Sequence, residues 1–180
     1  MFRERGFTLI ELMTILAVAA VLLTVATPAL QQFTNNSRQT GGVNDFISSM
    51  HIARNTAITT NARVTMCASA GGASCEVVAW NAGWIVFTDR NSNRLVDAGE
   101  KIIGTASGIS GLDIQSGEFP SYLVYRPTGR AMTVSVTGNV GQFTICDGRG
   151  ASQAKAVIMD LSGRPRVSKY SMSGTPLTCI

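Results

Sequence analysis

The feature that most constrains this chain is a run of 24 residues, 7–30, that carries a single charge, Glu11. A helix of that length can cross a hydrocarbon core. Arg3 and Arg5 precede it and are expected to stay cytoplasmic, which puts the rest of the chain outside the cytoplasm. A cleavable secretory signal has an apolar core of only about 7–15 residues. A plain membrane anchor accounts for the length but not for Glu11. A carboxylate in lipid costs about 2.5–3.5 kcal/mol on insertion scales, so Glu11 is expected to serve a function and to have a partner.

With 180 residues, the chain has room for one globular domain beside this segment. Pro28 removes a backbone donor and predicts a local kink. Val43, Phe46, Ile47, Met50, Ala53, Ala57 and Ile58 then recur at helical spacing. They predict a helix that resumes after Gly41-Gly42, runs to about Thr60 and lays its apolar stripe on a sheet. Beyond it the pattern turns to short β-rich runs broken by Gly, Asn and Ser. Strands are expected at 63–68, 77–80, 84–88, 101–105, 112–115, 122–125, 132–136, 142–146, 156–160 and 166–169. Many short strands after a long helix imply an α+β fold with antiparallel sheets. Trp80, Trp84 and Phe87 are expected in its core, and His51 at the surface or in packing.

Four cysteines, Cys67, Cys75, Cys146 and Cys179, include no C-x-x-C pair, and His51 is the single histidine. That argues against zinc. Behind a membrane-targeting segment they read as two disulfides in an oxidising compartment. Of three possible pairings, Cys67 with Cys75 and Cys146 with Cys179 are favoured, because neither ties distant regions together. On the chain-entropy estimate these loops contribute about 2.5 and 3.8 kcal/mol.

Residues 1–120 hold eight Lys/Arg and nine Asp/Glu, whereas residues 121–180 hold seven and two. Such an asymmetry suggests an acidic partner for the C-terminal part, or serves solubility alone.

Gly6-Phe7-Thr8-Leu9-Ile10-Glu11 resembles the class III signal of type IV pilins and type II secretion pseudopilins. The resemblance implies that a prepilin peptidase cuts between Gly6 and Phe7, that Phe7 becomes the N-methylated first residue, and that Glu11 serves filament assembly. Its carboxylate would meet the terminal amine of a neighbouring subunit; such a pair in low dielectric can fix axial register. The implied layout is a leader at 1–6, a transmembrane and filament-core helix at 7–30, an amphipathic continuation at 31–60 and a β-rich head at 61–180. The implied fold is the pilin fold, with the long N-terminal helix packed on an antiparallel sheet. The implied partners are other major and minor pilins, the peptidase and the inner membrane. The implied location is the inner membrane with a periplasmic head, and then the pilus.

The head is similar to the GspH/FimT group of minor pilins and pseudopilins. The matching segments are Gly83-Trp84-Ile85-Val86-Phe87, Ala98-Gly99-Glu100, Thr144-Ile145-Cys146-Asp147-Gly148-Arg149-Gly150 and Ser162-Gly163-Arg164-Pro165-Arg166. Gly163-Arg164-Pro165-Arg166 resembles the G-R-x-R element of FimT-type minor pilins, which are implicated in DNA capture during natural transformation. If the segment is extended, Arg164 and Arg166 project together, with Lys169 following in a flexible polar tail. Arginine forks bind phosphate oxygens, so weak, sequence-independent, salt-sensitive DNA binding is expected. Arg130 and Arg149 are candidate extensions of this patch. Solvated arginines, or arginines paired with Asp147 or Asp160, are the plainer reading.

Asp89, Asn91, Asn93, Asp97 and Glu100 fall at the EF-hand ligand positions of a twelve-residue loop and form a calcium candidate. Against it, Arg94 stands where that loop needs glycine, and the flanks read as strands. A polar hairpin connection is the favoured alternative. No catalytic constellation is evident and no cofactor is expected. The chain reads as a structural and binding protein.

Overall fold

The computed structural model describes residues 6, 8–133 and 139–179. Residues 1–5, Phe7 and the 134–136 part of the strand expected at 132–136 lie outside these. The chain divides into two compact units, Met1–Arg38 and Gln39–Ile180.

Helix α1, Leu9–Thr60, runs through both units. It continues through Pro28 and through Gly41-Gly42, where the sequence reading placed a break. A helical glycine costs about 1 kcal/mol relative to alanine. Gly42 has a packing reason to be there: a Cβ on it would come within 2.7 Å of Leu112 Cδ1 and 3.0 Å of Ile109 Cδ1. Gly42 therefore forms a notch for Leu112 and Ile109 and leaves the helix intact, whereas Gly41 is exposed. At the C-terminus Asn61 adopts a left-handed conformation, φ 50°, which ends the helix.

Among the described residues of the first unit the large apolar side chains lie exposed, Leu9 at 77 % and Leu23 at 64 %. The helix is long and apolar enough to cross a membrane.

In the second unit Val43, Phe46, Met50, Ala53 and Ala57 are buried at the helical spacing read from the sequence, with Ile58 at the rim. They pack on two antiparallel sheets. The first has the order β3 (Ile102–Ser107), β2 (Gly83–Thr88), β1 (Val64–Ala68), β5 (Tyr122–Tyr125), β6 (Ala131–Met132). The second has the order β4 (Leu112–Gln115), β7 (Gly141–Asp147), β8 (Lys155–Met159), β9 (Pro165–Ser168). The α+β architecture expected from the sequence, a long N-terminal helix followed by antiparallel sheets, is the one observed. Segment 77–80 is not a strand: it is a loop leading into a short 3₁₀ turn at Trp80–Ala82. Trp80 instead drops into the core and donates its Nε1–H to Phe119 O at 2.8 Å.

Phe46 organises this core. Its ring meets Trp80, Trp84 and Phe143 edge-on, at centroid distances of 5.6, 5.0 and 4.8 Å. Phe87 faces the other side of the first sheet, with Cys67 and Ile85. That outer face is tied down by the Cys67–Cys75 disulfide. The outer face of the second sheet, with Ala156 and Ile158, is covered by the C-terminal tail through Leu177 and the Cys146–Cys179 disulfide. The tail is therefore folded, where the sequence suggested flexibility: Tyr170 bridges Pro176, and Ser171 N–H donates to Thr175 O at 2.9 Å.

Candidate functional site

Two places carry the sequence-derived site residues. At the start of α1, Thr8 and Glu11 form a reciprocal cap. Glu11 Oε2 accepts from Thr8 N–H at 2.9 Å and from Thr8 Oγ1 at 2.8 Å, and Glu11 N–H donates to Thr8 Oγ1 at 3.3 Å. The sequence reading missed this box, although Thr-x-x-Glu is its signature. Glu11 thus has a local partner besides the intersubunit amine assigned to it. Gly6 precedes the helix and is exposed; Phe7 lies outside the described residues.

The second place is the turn between β8 and β9. Asp160 Oδ1 gathers three donors: Ser162 N–H at 2.8 Å, Ser162 Oγ at 2.6 Å and Arg164 N–H at 3.2 Å. The bond from the Ser162 hydroxyl, with smaller help from the Arg164 and Ser162 amides and the Arg164 charge, holds the Asp160 carboxyl below the usual aspartate range. Gly163, at φ 74°, packs backbone to backbone against the turn between β5 and β6. A Cβ on Gly163 would overlap Gly129 O and lie 3.1 Å from Arg130 Cα. Arg54 on α1 secures both turns, donating Nε–H to Gly129 O at 3.1 Å and Nη2–H to Ser162 O at 3.3 Å.

This contact brings Arg130 beside Arg164, and both are exposed, as are Arg166 and Lys169. Arg166 pairs with Ile158 across β8 and borders a cavity of about 420 Å³ with Leu161, Ser162 and Met172. Arg149 is not part of the cluster. Register places Gly141 opposite Met159, and Met159 opposite Pro165, whereas Arg149 follows the far end of β7. Seven strand residues separate the two ends, roughly 20 Å. There Arg149 forms a fork with Asp147, with Nε 2.9 Å and Nη2 2.5 Å from Oδ2. That hydrogen bonding is the main reason the Asp147 carboxyl titrates below the ordinary aspartate range. Arg54 and Gly129 were absent from the sequence-derived site. Their roles are set by contacts 75 and 108 residues away along the chain, which no local signal encodes.

The calcium-candidate side chains make hydrogen bonds within and beside their own loop. Among the described residues no group of three or more His, Cys, Asp or Glu is placed to hold a metal ion. Asp97 Oδ2 accepts amide N–H bonds from Asn91 at 2.8 Å and Asn93 at 2.6 Å. Glu100 accepts from the backbone of Arg90 at 2.9 Å and of Asp97 at 3.2 Å. Asp89 is buried and accepts from Thr65 Oγ1 at 2.6 Å. The loop bonds to itself, with Arg94 taking the left-handed position at φ 64°. It is the polar connection of the β2–β3 hairpin.

Residues 42–163 match the family described as Type II transport protein GspH, and residues 1–27 match the prokaryotic N-terminal methylation motif. No individually curated protein matches the chain. Two crystal forms of the type IV minor pilin FimU from Pseudomonas aeruginosa (strain PAO1) share its fold. The P21 form has a TM-score of 0.59 at 15 % identity, covering 82 % of this chain and 99 % of that one. The P65 form has a TM-score of 0.58 at 14 % identity, covering 78 % and 99 %. With its N-terminal methylation motif, its long apolar helix and its pilin-fold head, the chain belongs to the GspH family of type IV pilin-like proteins.

Proposed function

We propose that this protein is a minor type IV pilin of the pilus tip or priming complex that captures extracellular DNA for natural transformation. In this reading prepilin peptidase removes residues 1–6 and Phe7 is N-methylated. The apolar helix holds the subunit in the inner membrane and then enters the filament core. The head waits in the periplasm until assembly carries it outward. Its work is structural and binding; it catalyses nothing.

The observation that carries the DNA reading is the clamping of two turns by Gly163, Gly129 and Arg54, which leaves Arg130, Arg164 and Arg166 exposed together. Guanidinium forks on a braced backbone suit phosphate oxygens. With three such contacts, affinity falls on the order of tens-fold between about 50 and 200 mM salt. The test is retardation of duplex DNA by the full chain in non-ionic detergent, with Arg164 and Arg166 both changed to Gln. Loss of retardation is expected, and unchanged retardation removes the DNA role.

The family description favours a second reading, a type II secretion pseudopilin. Deletion separates the two: the first predicts lost transformation with protein secretion intact, the second the reverse.

A further inference from the structure

The end of the first sheet nearest the 126–130 turn carries a row of arginines on its outer face. Val64 pairs with Tyr125, and Tyr125 pairs with Ala131; all three side chains belong to the main core. Side chains alternate along strands, so the adjoining positions Arg63, Arg126 and Arg130 fall on the opposite face. Backbone bonds continue the ladder to them, from Asp89 N–H to Arg63 O and from Arg126 N–H to Arg130 O, each 2.9 Å.

A cleft of about 460 Å³ opens on this face, its polar lining supplied by Arg63, Ser92, Arg94, Tyr122, Arg126 and Thr133. Arg94 lies over the Tyr122 ring, 4.6 Å from its centroid, and donates to Tyr122 Oη at 2.5 Å. Arg63 donates to Ser92 Oγ. No carboxylate is among the described lining residues. Asp89, bonded through its backbone to Arg63, is fully buried, and its Oδ2 is engaged by Thr65 and by Arg94 N–H.

Like charges placed opposite one another on neighbouring strands destabilise a sheet. The bonds of Arg63 and Arg94 go to the neutral hydroxyls of Ser92 and Tyr122, so their charges call for an anion in this concave cleft, and planar forks favour phosphate oxygens over a point contact. Arg130 links the cleft to the turn patch, because its backbone lies against Gly163.

We infer that this cleft binds a phosphate of a nucleic-acid backbone, and that Arg130 joins it to Arg164 and Arg166 in one track. The source of the phosphate rests on the DNA reading above; the call for an oxyanion rests on the arginines alone.

The test uses full-length protein in non-ionic detergent and a short labelled DNA strand, with affinity followed by fluorescence anisotropy across about 50–200 mM salt. The double variant Arg63→Gln, Arg94→Gln is expected to weaken binding on the order of tenfold. It is also expected to flatten the slope of log affinity against log salt by about 1.4, at about 0.7 per lost contact for single strands. Arg63→Lys, Arg94→Lys, which keeps the charges, is expected to retain most of the slope. That result separates a charge effect from a folding defect. If the Gln variant keeps wild-type affinity and slope while Arg164→Gln, Arg166→Gln loses them, the cleft inference falls and the DNA reading stands. If neither double variant changes binding, both fall. If polyglutamate displaces the DNA as well as an equal charge of unlabelled DNA does, the occupant is an acidic peptide and the phosphate assignment is overturned.

Discussion

Gly163 and Gly129 touch backbone to backbone, so that a Cβ on Gly163 would overlap the Gly129 carbonyl oxygen. Gly163 also sits at φ 74°, where an L side chain is strained by about 1–2 kcal/mol. Replacing Gly163 with Ala should therefore cost at least about 2 kcal/mol of stability. Urea denaturation of the Gly163→Ala variant measures this. The turns should separate in the variant, and DNA retardation should fall although no arginine has been touched.

Arg54 holds the same two turns from the helix side. Arg54→Met keeps the apolar stem and removes the bonds to Gly129 O and Ser162 O. A loss of about 1.5–3 kcal/mol is expected, as for hydrogen bonds from a charged group. If thermal melting and DNA affinity are both unchanged, the bracing role is refuted.

Thr8 and Glu11 can be separated by mutation. Thr8→Val removes the hydroxyl from the cap at a cost of about 1 kcal/mol to the helix start but keeps the carboxylate. Glu11→Ala removes the carboxylate. Mass spectrometry should find both variants cut between Gly6 and Phe7, while sheared filaments should contain Thr8→Val protein at normal level and little Glu11→Ala. Equal failure of the two would show that the helix start, and not an intersubunit amine, is what assembly needs.

Acid should unfold the head through Asp147 and Asp160. The folded-state pKa of each is depressed, for Asp147 first by hydrogen bonds from Arg149 and for Asp160 first by the Ser162 hydroxyl. Each therefore contributes stability that is fully present above the unfolded aspartate value of about 3.9 and is lost as pH falls through the folded value. Melting temperature should drop below about pH 4. Asp147→Asn should shrink that drop, and Asp147→Asn together with Asp160→Asn should shrink it further. An unchanged acid limb in the double variant would exclude these groups.

The disulfides should differ in their effect. Cys146 and Cys179 are 33 residues apart, against 8 for Cys67 and Cys75. On loop entropy, replacing the first pair with Ser should cost about 3.8 kcal/mol and the second about 2.5. Limited proteolysis should cut the Cys146/Cys179 variant first within the tail, since Leu177 then loses its tether over Ala156 and Ile158.

The amino-acid order by itself determined whatever depends on neighbours along the chain. A charge-poor run of 24 residues is long enough to span lipid wherever it occurs. Val43, Phe46, Met50, Ala53 and Ala57 share a helix face because the helical period puts them there, and β1, β2, β7 and β8 were legible as β-rich runs between turn residues. The glycine pair at 41 and 42 misled, because the use of Gly42 lies in Leu112 and Ile109, about 70 residues on. The EF-hand spacing shows a related limit of pattern: spacing cannot say whether oxygens converge on a point, and here amide N–H groups face Asp97. Only the tertiary structure put Arg130 beside Arg164 and left Arg149 at the far end of its strand, since strand register and the Gly129–Gly163 contact are relations between segments. Proximity of that kind is created by closing long loops around a common core, and a one-dimensional pattern does not record which loops close.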